Sequence, residues 1–157
     1  MGKSPAFNIG RLGEFMAVAK TTEELQRLIM DEMQKAMNET AKQAEQDMHE
    51  GTEYFYNGGT PRRYVRTGAL GNTPKTSPVV QSGNEVSFNA YLDKNYTYNS
   101  GDSPSMGQVL DLANYGTPWR TSGGGWANPT VGNKGFWEKS EEKIEESFNR
   151  IMGKHFP

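Results

Sequence analysis

Cysteine is absent from this 157-residue chain. That removes disulfides, thiolate metal sites and a cysteine nucleophile, and it fits folding in a reducing compartment. Histidine is scarce: His49 and His155 stand far apart, neither at ligand spacing from a paired carboxylate, so both read as solvated surface residues. No stretch approaches the ~20 apolar residues of a membrane span. The N-terminus, with Lys3 but no apolar run behind it, does not read as a signal peptide. Excess charge of one sign is also missing. A formal net charge of −2 gives no global basic field to draw the chain onto nucleic acid. Nucleophile-elbow, zinc-protease and P-loop patterns do not occur, and Gly123-Gly124-Gly125 lacks the Lys-Ser/Thr that a phosphate cradle needs. Catalysis, a bound metal and a cofactor are therefore not expected. Apolar residues are few as well. They make up 34% of the chain, with a mean hydropathy of −0.81, against a usual ~45–50% counted with glycine. The core is thin for this length, so either much of the chain is loop or neighbouring subunits complete the burial.

Glycines and aromatic residues are plentiful, with 18 Gly, seven Tyr, seven Phe and three Trp. The aromatics argue against wholesale disorder. Residues 1–20 read as a flexible segment holding a short helix through Leu12, Phe15, Met16 and Ala19. Residues 21–157 read as one α+β domain. Thr21 and Glu24 form a capping box. Leu25, Leu28, Ile29, Met33, Ala36, Met37, Ala41, Ala44 and Met48 then keep helical spacing to about Glu50, with Gly51 as the stop. Such a helix is about 45 Å long, longer than one small sheet can cover. Its Ala-rich second half suits close packing, and contact with another chain is expected for part of the stripe. A coiled-coil dimer or a plain core helix is the alternative.

Residues 51–78 read as irregular, with Asn57-Gly58-Gly59 as a hairpin turn between aromatics. Val79-Val80, a turn at Ser82-Gly83-Asn84, and the alternation Val86, Phe88, Ala90, Leu92 predict a small antiparallel sheet with one buried face. Asp102-Ser103-Pro104 opens a short helix through Met106, Val109, Leu110 and Ala113, ending near Tyr115-Gly116. Residues 117–135 read as a loop. Phe136, Trp137, Ile144, Phe148, Ile151 and Met152 line one side of a terminal helix, opposite a solvated face of Glu and Lys. The fold class is α+β: a long N-terminal amphipathic helix and a C-terminal helix packed on a small antiparallel sheet.

One basic-aromatic cluster stands out, Arg62, Arg63 and Arg66 with Tyr56 and Tyr64. Cations beside stacking rings suit single-stranded nucleic acid; an ordinary surface loop with local ion pairs is the plainer reading. Trp119 and Trp126 beside Tyr115 and several glycines suit a sugar platform, a loop anchor or a protein contact.

Three separated motifs then fall into a known order. Arg66-Thr67-Gly68-Ala69-Leu70 follows the long helix, Leu112-Ala113-Asn114-Tyr115-Gly116-Thr117 follows the strands, and Gly135-Phe136-Trp137 opens the last helix. Over roughly residues 10–152 the chain resembles the small neck and tail-component proteins of long-tailed bacteriophages, the family of the phage lambda tail-completion protein Z. It departs from that pattern where Arg66 replaces a frequent acid, where Gly71-Asn72 replaces a frequent base, and where Asn114 replaces an acid. The resemblance implies a virion structural protein at the head–tail junction, made in the bacterial host cytoplasm. It implies a homo-oligomeric ring, with head-closure or connector proteins on one side and tail-terminator or tail-tube proteins on the other. DNA would pass through the lumen, where Arg62, Arg63, Tyr64, Lys75, Trp119 and Trp126 are candidates for assembly or non-specific DNA contact. The other reading kept open is a non-enzymatic module binding sugar or single-stranded nucleic acid through its Tyr, Trp and Arg loops.

Overall fold

The computed structural model of the chain describes residues 9–62, 66–95, 106–116, 124 and 131–157. The elements run α1 (Ile9–Val18), α2 (Thr22–Tyr56), a short 3₁₀ helix (Ala69–Asn72), β1 (Pro74–Thr76), β2 (Val80–Ser82), β3 (Glu85–Ser87), β4 (Ala90–Leu92), α3 (Met106–Tyr115) and α4 (Phe136–His155). The fold is α+β, as the pattern predicts, with two two-stranded antiparallel sheets in place of a single sheet.

α2 starts where the cap signal puts it. Glu24 N–H donates to Thr21 Oγ1 at 3.1 Å, and the Glu24 carboxylate reaches back to Lys20 N–H at 2.7 Å. Both bonds satisfy N–H groups at the helix start that have no intrahelical partner. The predicted stop at Gly51 is wrong: the helix runs on to Tyr56. Gly51 is buried, and a Cβ there would fall on Ser140 Oγ and close to the Phe136 carbonyl. The residue is small because α4 lies against it, and it does not end the helix. Tyr54, Phe55 and Tyr56 are therefore its last turn and not a hairpin arm.

The chain groups into two compact units. The first holds Met1–Ala44, Thr76–Ala90 and Lys143–Pro157. Its core is Ala36, Ile151, Met152 and Phe156, with Phe15, Met33 and Phe148 packed on it. In this unit β2 pairs with β3 in the register Val80↔Ser87, Gln81↔Val86 and Ser82↔Glu85 around a turn at Gly83-Asn84. Val86 is buried, whereas all of β2 is exposed. The first half of the α2 stripe is only partly covered. Leu25, Ile29, Met30 and Met33 line a shallow groove of about 400 Å³, with Thr22, Gln26 and Asn84 at its rim. Met16 and Val18 of α1 are each 64% exposed, and Val80 is 55% exposed.

The second unit holds Glu45–Lys75 and Tyr91–Glu142. Phe55, Ala69, Leu70, Leu110, Ala113 and Phe136 form its core, with Tyr56, Leu92 and Val109 against them. Burying each large side chain is worth about 1.5–3 kcal/mol. The alternation read over residues 86–92 does not form one strand. It breaks at Phe88-Asn89, where Asn89 N–H turns to Ser77 Oγ at 2.8 Å, and β4 pairs with β1 instead. Pro74, inside the segment read as irregular, opens β1, where the missing N–H costs nothing if it faces away from the partner strand. The N-cap signal at Asp102-Ser103-Pro104 lies outside the described residues. α3 and α4 match the predicted helices closely.

Candidate functional site: three motifs on two helix ends

α2 ends with carbonyls that no later turn of helix can satisfy. Gly58 N–H reaches the Phe55 carbonyl at 3.1 Å, and residues farther along the chain supply the other donors. Asn133 N–H donates to the Phe55 carbonyl at 3.1 Å, and Asn133 Nδ2 donates to the Tyr54 carbonyl at 2.9 Å. Arg66 does the rest. Its Nη1 donates to the Tyr56 carbonyl at 2.7 Å, and its Nη2 to the carbonyls of Val131 at 2.9 Å and Gly59. A guanidinium at a helix C-terminus also meets the negative end of the helix dipole. The same group lies 5.1 Å from the Tyr56 ring centre and 5.9 Å from that of Phe55, both within cation–π range. Arg66 is thus a cap that ties the end of α2 to the segment before α4.

Thr67 and Gly68 turn the chain out of this cap. Gly68 has φ 77°, and Thr67 Oγ1 accepts from Ala69 N–H at 3.4 Å. Leu70 then drops into the core at 5% exposure. Phe55 sits edge-on to Tyr56 and to Phe136, with ring centres 5.6 and 6.1 Å away.

The second and third motifs meet at the start of α4. α3 ends at Gly116, whose φ of 74° allows its N–H to reach the Leu112 carbonyl at 2.8 Å. Asn114 is 5% exposed and uses its whole amide. Its Oδ1 accepts from Trp137 N–H at 2.8 Å, and its Nδ2 donates to the Glu138 carboxylate at 2.9 and 3.2 Å. Gly135 N–H donates to the Asn114 carbonyl at 2.9 Å, and Gly135's own carbonyl accepts the first helical bond of α4. Lys134 spans the two motifs: its ammonium donates to the Leu112 carbonyl at 3.3 Å and lies 5.6 Å from the Phe55 ring centre. Partial burial holds that ammonium below the ordinary lysine pKa.

Arg66, Gly68, Leu70, Asn114, Gly116, Gly135, Phe136 and Trp137 are thus gathered in one unit around two helix ends. Tyr115 belongs to the same motifs but is 63% exposed. Arg62 and Lys75 are exposed at the surface. Arg63, Tyr64, Thr117, Trp119 and Trp126 lie outside the described residues. Asn133, Lys134 and Glu138 had no distinguishing signal in sequence beyond the suitability of an acid for a helix start. The arrangement is one of caps, turns and packed rings. It orients backbone.

A second polar cluster lies in the first unit, and it corrects the surface reading of His155. The imidazole is sandwiched between two carboxylates: Nδ1 is 2.7 Å from Glu32 Oε1 and Nε2 is 3.0 Å from Glu39 Oε2. Glu32 also accepts from Lys35 at 3.2 Å and from Arg11 at 3.3 Å, and Glu39 accepts from Lys154 at 2.9 Å. Burial alone would raise the Glu32 carboxyl, but hydrogen bonds from His155, Lys35 and Arg11 outweigh it and hold it down at about 2. Hydrogen bonds from His155 and Lys154 keep Glu39 below the usual carboxylate range as well. His49 is exposed, as read.

Among the described residues, no helix is long and apolar enough to cross a membrane. Searches of the curated proteins and of the solved structures found no significant match. A family model described as YomN matches residues 21–155, from the cap of α2 to the last turn of α4. The name is that of a phage-derived, SPbeta-type gene product. With nearly the whole chain inside that match, the protein belongs to the YomN family, a phage-associated one.

Proposed function

We propose that this protein is a non-enzymatic structural component of a tailed-phage particle, acting at the head–tail junction as one subunit of an oligomeric ring. The observation that carries the reading is the convergence of the three motifs at residues 66–70, 112–117 and 135–137. They lie far apart in sequence, yet Arg66 caps α2 while Asn114 and Gly135 cap α4 in the same unit. The resemblance to the lambda tail-completion family rests on those motifs, and the YomN match supports the wider phage association. Both motif groups shape backbone and leave the chemistry of the surface to other residues, as suits a subunit whose work is docking. The uncovered apolar residues of the first unit, Met16, Val18, Val80 and the Leu25–Met33 groove, supply area that a neighbour would cover. Head-closure or connector proteins and tail-terminator or tail-tube proteins are the neighbours this role requires. Of the candidate contact residues, Arg62 and Lys75 are described and exposed, as non-specific phosphate contact would need.

Electron microscopy of lysates from phage lacking this protein tests the role. Filled heads and separate tails are the expected particles. Normally joined, infectious particles would overturn it.

A further inference from the structure

We propose that the end of α4 is fastened to α2 by a proton-dependent clasp, in which His155 holds Glu32 and Glu39 together as an imidazolium and lets go of one of them when it loses its proton. The geometry carries this. A carboxylate oxygen can only accept, and both ring nitrogens of His155 face one, at 2.7 and 3.0 Å. A neutral imidazole has a single N–H, so its other nitrogen would point a lone pair at a carboxylate oxygen. Protonating a carboxylate could relieve that clash, but Arg11 and Lys35 beside Glu32, and Lys154 beside Glu39, favour the ionised form whatever the state of the imidazole. The facing charges come from every element packed here: Arg11 on α1, with Glu14 as its second partner; Glu32, Lys35 and Glu39 on α2; and Lys154 beside His155 on α4. The clasp sits next to an apolar anchor, because Phe156, at 4% exposure, packs with Ala36, Ile151 and Met152, and its N–H donates to the Met152 carbonyl at 2.8 Å. Raising the pH therefore weakens the last turn of α4 while Phe156 still tethers it. The turn loosens before the unit does.

Amide hydrogen exchange of the full chain reads this loosening. After correction for the intrinsic base-catalysed rate, the Phe156 and His155 amides of the wild type are expected to exchange about tenfold faster at about pH 9 than at about pH 5.5, as for loss of one charge-assisted hydrogen bond. Amides of α3 should stay level. His49→Gln should keep the whole response. His155→Gln should abolish it, with exchange fast at both pH values. Glu39→Gln provides a variant that preserves the clasp's shape: its amide can accept from an N–H or donate to a bare ring nitrogen, so protection should persist at high pH. A wild type with no pH response would overturn the proposal, whether or not His155→Gln folds. So would an undiminished response in His155→Gln or in Glu39→Gln.

Discussion

Arg66 and Asn114 show how a single side chain can stand in for a missing turn of helix. Arg66 meets three carbonyls with a planar fork, which a lysine ammonium cannot reproduce. Arg66→Lys is expected to destabilise the protein by about 1–3 kcal/mol, read from the shift in urea midpoint. Asn114 needs an oxygen towards Trp137 N–H and an amide nitrogen towards Glu138. Aspartate keeps the first and sets a like charge against Glu138. Asn114→Asp should cost about 1–3 kcal/mol, and adding Glu138→Gln should recover most of the loss. A double-mutant cycle with additive effects would refute that coupling. An acid at this position would meet the same Glu138, so asparagine here has a local physical reason. Glu32 adds a pH signature. Its folded carboxyl lies at about 2 against 4.5 for the free group. The stability it contributes is therefore complete above about 4.5 and lost as pH falls through about 2, on the order of 1–3 kcal/mol. Denaturation midpoints measured down that range should fall in the wild type and fall less in Glu32→Gln.

At the scale of elements, the helices were legible, and the end of α2 was not. The 3.6-residue stripe of α2, its Thr21 cap, and the apolar faces of α3 and α4 are local patterns, and local patterns survive folding. Gly51 misled because a glycine that ends a helix and a glycine that admits a neighbouring helix are the same letter; Ser140, which decides between them, lies 89 residues away. The alternation from Val86 to Leu92 likewise says nothing of the Ser77–Asn89 bonds that divide it between two sheets. His155 looked solitary because its partners are more than a hundred residues distant. Of the motif cluster, the turns at Gly68 and Gly116 could be read, while the capping roles of Arg66 and Asn114 depend on carbonyls and amides brought in from elsewhere. Glycines on the helices now give opposite expectations. Gly13 and Gly153 have open space where a Cβ would stand, so alanine at either should stabilise by about 0.5–1 kcal/mol. Gly51→Ala should destabilise by about 1–3 kcal/mol despite the better helix former, since its methyl meets α4. Thermal melts of the three variants check the sign in each case.

For the whole molecule, the open matter is what lies against the first unit. Two-stranded sheets are marginal on their own, and β2 is exposed along its length. If Met16 and Val80 face a neighbouring subunit in a ring, the Met16→Glu, Val80→Lys double variant should lower the oligomer mass in mass photometry while its circular dichroism stays that of the wild type. An unchanged mass would remove these two residues from the interface.

The second unit's core is assembled from segments that leave the ribosome far apart in time. Phe55 is made early, Leu70 and Leu110 later, and Phe136 only when most of the chain exists. Until then the aromatic end of α2 lacks the Phe136 ring that packs on it, and a nascent chain carries it bare. Ribosome-bound chains stalled before Phe136 should remain open to protease around Tyr54–Tyr56, and the released full-length chain should resist. That result would make folding of this unit a late event, set by translation of the first turns of α4.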